Sequence, residues 1–227
     1  MRRSGLFLGI AVIVLGSCLP TIASADPPRV LFLFPSVGVM GSEFFEAFER
    51  FEERGVVAEV AAGVTGSYTF WEDSSEGRAG NVPGGYEFEV SLTIDEVDPE
   101  IYDAILVGPG FAHAFWFEPG HDRGIEIILE AADRGLPLGG ASFGVWVLLG
   151  QGLLDGRTAC DWPHALGVVS SQAHWDGFLS GFDAVTFDEA CVYTDLGVEG
   201  QSPIVTASYR CPAGFADAIV DLLVNED

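Results

Sequence analysis

Six residues near the start of this chain constrain its fold more than any others: in residues 29–34, Arg-Val-Leu-Phe-Leu-Phe, the five after the arginine run apolar without alternation. A strand facing solvent on one side alternates, so a continuously apolar run belongs to a parallel sheet covered on both faces. The next segment supplies the cover. Phe44, Phe45, Phe48 and Phe51 recur at helical spacing over residues 42–54, with Ser42 placed to cap and Gly55 to stop the helix. Residues 56–61 then read as a second strand. A strand, a helix and a strand within about thirty residues form the right-handed parallel crossover unit.

The alternation continues. Residues 63–85 are rich in Gly, Ser and acids and read as an irregular insertion or loose hairpin, followed by a half-exposed strand over 86–92. Residues 102–107 form another buried strand ending in Gly108-Pro109-Gly110. Residues 124–134 are an amphipathic helix, and a fifth strand from Gly135 runs into the glycine-rich corner 139–144. Helix follows over 145–150, then strands near Thr158, Val192 and Ile204, and a last helix over 213–224. The expected fold class is α/β, a single doubly wound, mostly parallel sheet flanked by helices, of flavodoxin-like type. The 227 residues suit one such domain.

The first 25 residues stand outside it. Arg2 and Arg3 precede an apolar run over 6–16, Pro20 interrupts, and Ala23-Ser24-Ala25 offers a small-residue cleavage pattern before Asp26. The expectation is a signal peptide over 1–25 and one exported domain over 26–227, periplasmic or extracellular. Val14-Leu15-Gly16-Ser17-Cys18 also fits a lipobox, and lipidation at Cys18 is the one route to a membrane anchor. The net charge of −24 comes from 34 acids against ten basic residues, all of them arginine. A surface this negative repels phosphate backbones and excludes nucleic acid as a natural partner. Export gives Cys160, Cys191 and Cys211 an oxidising compartment, where one disulfide and one thiol is the simplest account. The pair is left open, although Cys191 and Cys211 flank a plausible hairpin. The scattered histidines and cysteines suit no metal site, and no cofactor is expected.

In doubly wound sheets ligands gather at the carboxyl ends of the strands. There a buried strand runs directly into Ala141-Ser142-Phe143-Gly144 and a helix. Ser142 is placed either as a nucleophile at a strained elbow or simply as the cap of the helix that follows. A serine hydroxyl needs a base within hydrogen-bond reach. The candidates are His164 and His113, with Asp161 as a third member. The amides of Gly110 and Phe143 would supply an oxyanion pocket, with Gly144 and Met40 beside it. Phe111, Phe115, Trp116, Phe117, Trp146 and Trp162 would line a cleft for a small molecule, form a contact with a second copy of the chain, or pack as core. The acids over 72–76 read as a solvated loop.

Several ordered blocks carry a family resemblance. Gly85-Tyr86-Glu87-Phe88-Glu89-Val90 and the segment 95–110, Asp-Glu-Val-Asp-Pro-Glu-Ile-Tyr-Asp-Ala-Ile-Leu-Val-Gly-Pro-Gly, resemble the middle of ThiJ/PfpI proteins. Residues 29–55 look like their first strand and helix. Residues 139–157, with Gly152-Leu153-Leu154-Asp155-Gly156-Arg157, are similar to their elbow and closing turn. Thr206-Ala207-Ser208 and residues 215–223 fit their ending. The resemblance implies the class I glutamine amidotransferase-like fold and an elbow that presents a cysteine, often followed by histidine, with an acid from the loop after the first strand. Here Ser142 stands at the cysteine position and Phe143 at the next. The acid position falls near Met40, beside Val39 and Gly41, while Glu43 is expected in the first helical turn. Asp161, in Cys160-Asp161-Trp162, replaces a pocket histidine.

The resulting expectation is an exported relative without the family's cysteine and acid chemistry, a non-catalytic binding or structural homologue. The alternative is a hydrolase-like enzyme, related to amidases, peptidases or glyoxalases, with Ser142 as nucleophile.

Overall fold

The computed structural model describes residues 26–34, 39, 41–72, 82–109, 121–160, 185–188, 190–208 and 210–224. Strand β1 is Arg29–Phe34, and its side chains divide as a strand covered on both faces requires. Val30, Phe32 and Phe34 enter one hydrophobic cluster, and Leu31 and Leu33 enter the other. β1 pairs in parallel with β2 (Val57–Ala62) on one side. Helix α1 (Gly41–Glu53) connects the two and lays Phe44, Ala47 and Phe51 on the first cluster. The Phe44 ring meets Phe34 at 4.7 Å, Phe88 at 5.3 Å and Phe32 at 5.5 Å, all edge-on, the arrangement that ring quadrupoles favour. The helix begins at Gly41, so Ser42 lies inside it and not at the cap.

Residues 66–72 and 82–90 are more regular than the sequence suggests. β3 (Gly66–Glu72) and β4 (Val82–Val90) pair antiparallel, with a register shift between Thr69 and Trp71. The strand expected over 86–92 is thus split between β4 and the short β5 (Leu92–Thr93), which joins the main sheet beside β2. Two single-turn 3-10 helices, Ile94–Glu96 and Pro99–Ile101, lead on to β6 (Ala104–Val107). The first carries a Thr93–Glu96 capping box and the second is capped by the Asp98 carboxylate.

β6 pairs with the other side of β1, and β7 (Leu138–Ala141) pairs with β6 after helix α2 (His121–Asp133). Helix α3 (Gly144–Gly150) follows β7 directly. β8 (Thr158–Cys160) pairs in parallel with β9 (Thr186–Asp188). β10 (Val192–Asp195) then turns back antiparallel on β11 (Ile204–Ala207), and helix α4 (Pro212–Val224) ends the described chain. The seven-stranded sheet runs β10-β11-β7-β6-β1-β2-β5, with every pairing parallel except β10 on β11. The α/β expectation holds. α1 and α4 cover one face and α2 and α3 the other.

Gly139 and Gly140, expected in the corner after the strand, belong to β7 itself. A Cβ at Gly139 would stand 2.6 Å from Leu106 Cδ2 and 2.7 Å from Phe215 Cζ, so its missing side chain lets α4 close on the sheet. α1 and α4 are also joined by charge. Arg50 holds both Asp217 oxygens, at 2.9 and 3.2 Å, and Arg54 reaches Asp217 and Asp221. At the amino end of the sheet, Arg29 pairs with Glu59 and its guanidinium lies 5.6 Å from the centre of the Tyr102 ring. No helix among the described residues is long and apolar enough to cross a membrane.

Candidate functional site

The chain leaves β1 toward one edge of the sheet and β6 toward the other, and the carboxyl ends of two strands so related are where sheets of this class bind ligands. β7 ends beside it, and the residue after β7 is Ser142. Its φ is +57°, the single positive value at a non-glycine among the described residues. An L-residue in this region is strained by about 1–3 kcal/mol and persists only where its surroundings over-determine it. Here they do. The Ser142 amide donates to the Ala207 carbonyl of β11 at 3.0 Å, and its carbonyl accepts from the Val145 amide at 3.3 Å. Gly144 completes the turn, because a Cβ there would stand 2.7 Å from the Val107 carbonyl oxygen of β6.

This geometry decides between the two placements of Ser142. The cap of α3 is Phe143, with helical dihedrals and no side-chain capping bond, so Ser142 is an elbow residue and not an N-cap. The side chain is 2% exposed. Its hydroxyl makes no hydrogen bond with any other described residue. Phe143 and Trp146 pack edge-on at 4.9 Å, one helical turn apart. Trp146 lies in the hydrophobic cluster beneath α3 with Val145 and Leu149, so it is core.

Of the other residues singled out in the sequence, His113, His164, Asp161, Gly110 and Met40 lie outside the described residues. The same holds for Phe111, Phe115, Trp116, Phe117, Trp162 and the acids over 73–76. Ser142, Phe143 and Gly144 are therefore the members whose mutual placement is established. Among the described residues no three His, Cys, Asp or Glu side chains gather as a metal site requires.

One residue carries more weight than its sequence position suggested. Glu43 sits in the first turn of α1, as expected, yet it is only 7% exposed. Burial of a carboxylate is costly, and acids are among the residues least often fully buried. Glu43 lies in the helix that follows β1, and β1 stands two places from β7 in sheet order. A signal for it was present. Glu43, Ala47 and Phe51 share one helical stripe, and an acid on an apolar stripe is a buried acid. The acid position assigned beside Met40 therefore has a carboxylate three residues further on, in α1.

No protein-family model matches the sequence, and no curated protein matches it. Solved structures do match the fold. A ThiJ/PfpI domain protein from Brachyspira murdochii superposes with a TM-score of 0.65 at 18% identity, over 89% of this chain and all of that one. DJ-1beta of Drosophila melanogaster gives 0.63 at 14% identity, over 88% and 92% of the two chains. Oxidised DJ-1 of Toxoplasma gondii gives 0.61 at 18% identity over the same shares. At such identities the likeness concerns the backbone: this chain has the ThiJ/PfpI fold, shared with DJ-1, with serine at the crest of its elbow.

Proposed function

We propose that this protein is an exported ThiJ/PfpI-fold protein that has given up thiol chemistry and uses the elbow crevice to bind a small molecule without turning it over. The observation that carries the reading is the strained elbow itself, which presents Ser142, an alcohol, where the resembled family presents a cysteine, with Phe143 where a histidine often follows. An alcohol has no accessible anion near neutral pH, so without a base within about 2.6–3.2 Å it does not attack. Strain kept without nucleophilic chemistry suits a rigid wall of a binding crevice. Export rests on the charged and apolar pattern of residues 1–25 and agrees with a disulfide in the domain, the bond of an oxidising compartment. The intact mass of the mature chain distinguishes a start at Asp26 from a lipidated Cys18.

A second reading has its own support. A serine at positive φ and the carboxylate buried in α1 are two parts of a hydrolase, which would need a base to join them. One experiment separates the readings. The purified protein and its Ser142→Ala variant are exposed to a fluorophosphonate probe and to ester, peptide and 2-oxoaldehyde substrates. The expected result is no labelling at Ser142 and equal background turnover in the two proteins. Labelling that vanishes in the alanine variant would overturn the non-catalytic reading in favour of the hydrolase.

A further inference from the structure

Beside the elbow, at the carboxyl end of β11, the fold gathers the three cysteines of the described residues. Cys191 and Cys211 form a disulfide, and Cys160 is a buried thiol. Cys160 ends β8, which lies against β10 and β11. Its amide donates to Thr206 Oγ1 at 2.7 Å, and its Sγ lies 3.7 Å from the Cys191 carbonyl oxygen. That oxygen also accepts from the Ser208 amide at 2.8 Å, which fixes Cys191 at the end of the hairpin. The thiol therefore sits against the backbone of one of the two bridged residues.

The other bridged residue has a different environment. The Cys211 carbonyl accepts from the Phe215 amide at 2.9 Å, so Cys211 caps the 13-residue helix α4, with Pro212 in its first position. A sulfur at a helix N-terminus is favoured as the thiolate by the free amides and the dipole, and in thiol–disulfide exchange the more acidic thiol leaves faster. The arrangement is thus asymmetric: an attacking thiol beside Cys191 and a favoured leaving group at Cys211.

We propose that Cys160, Cys191 and Cys211 form an internal thiol–disulfide exchange site that unmasks Cys211. Cys160 loses its proton to solvent, and its thiolate pair attacks Cys191 Sγ. The Cys191–Cys211 bond breaks as the Cys160–Cys191 bond forms, and Cys211 leaves as a thiolate at the start of α4. One disulfide exists before and after, so neither oxidant nor reductant is consumed. The buried thiol is exchanged for one at a partly exposed helix terminus, where a second protein's disulfide or a small electrophile has access. This step is independent of what the elbow binds.

The test is a trapping experiment on the purified protein. It is incubated natively with saturating N-ethylmaleimide at several pH values, acid-quenched, digested without reduction and mapped by mass spectrometry. The expected product carries maleimide on Cys211 and a Cys160–Cys191 link. Its rate of appearance rises about tenfold per pH unit while the attacking thiol is mostly protonated, and it is absent from Cys160→Ser. A Cys191–Cys211 link that persists at every pH, in protein whose Cys160 is alkylated once guanidinium is added, would overturn the proposal. Maleimide on Cys191 with a Cys160–Cys211 link would overturn the assignment of the leaving group. In Cys211→Ser the expected product is a Cys160–Cys191 disulfide, and two free thiols there under air would count against the site.

Discussion

At the end of β7 the chain holds Ser142 at φ +57° with backbone hydrogen bonds and no side-chain bond to a described residue. At the end of the neighbouring β11 the corner is built the opposite way. Disulfide Cys191–Cys211 ties the start of β10 to the start of α4 and the Thr206 hydroxyl ties β8 to β11, a covalent and a side-chain link beside the backbone bond from Ser208 to Cys191. The two corners touch, since the Ser142 amide donates to the Ala207 carbonyl and the Ser208 amide donates to the Cys191 carbonyl. The elbow's shape is thus imposed from outside, by packing against β6 and by β11, while the cysteine corner carries its own restraints. A bare, strained residue next to a cross-linked one is how a fold keeps a crest rigid without filling it with side chains.

The largest effect expected of this contrast is the loss of the cross-link. The disulfide closes a loop of 20 residues, for which the chain-entropy account gives about 3 kcal/mol. A Cys191→Ala, Cys211→Ala double variant should lose that amount in denaturant unfolding and melt roughly 6–12 °C lower. Unchanged melting would mean that packing of α4 already holds the corner, and the contrast would fail on that side.

On the elbow side the sign reverses. Ser142→Gly removes the Cβ penalty of the left-handed region, about 1–2 kcal/mol, and adds back part of it through the freer unfolded chain. The net expectation is a gain of roughly 0.5–1 kcal/mol, read as a higher denaturant midpoint. Ser142→Val, branched at Cβ, should move the midpoint the other way. A glycine variant no more stable than the parent would show that the Ser142 side chain earns its place through contacts outside the described residues.

How legible these corners were in the sequence follows from what each depends on. β1 could be read because Val30 to Phe34 are buried from both faces, and burial writes itself in composition. The elbow was legible as a buried strand running straight into Ser-Phe-Gly and a helix. β7 was read as ending too early, before Gly139, because Gly139 and Gly140 have no strand preference of their own, and their places are set by Leu106 and Phe215 packed on Gly139 and by Gly144 and Leu148 packed on Gly140. The β3–β4 hairpin was hidden by glycines and acids that break strand alternation. The Cys191–Cys211 pairing became definite only with the register that sets Val192 opposite Ala207. Glu43 was found in the right turn, and the signal of its burial lay in the stripe it shares with Ala47 and Phe51 and not in the residue itself.

The smallest effect tests whether the disulfide alone anchors α4. Asp217, well inside that helix, is gripped by Arg50 and also by Arg54 of the α1 end, and the Arg50 hydrogen bond holds its carboxyl below the usual carboxylate range. A lowered folded-state value means the pair contributes above the unfolded carboxylate's pKa of about 3.9, and the contribution disappears as pH falls through the lower, folded value. The stability difference between the parent and Asp217→Asn should therefore be steady near neutral pH, begin to shrink below about pH 4 and vanish once pH has fallen through the lower, folded-state value. Asp217 is about one third exposed, so screening limits the difference to about 1 kcal/mol or less, and added salt should reduce it. The same difference measured in the disulfide-free variant should be at least as large, because the ion pairs are then the remaining polar tie between α4 and the sheet's α1 face. A difference that persists unchanged to pH 2 would show that Asp217 acts through packing, leaving the cross-link as the corner's one electrostatically independent anchor.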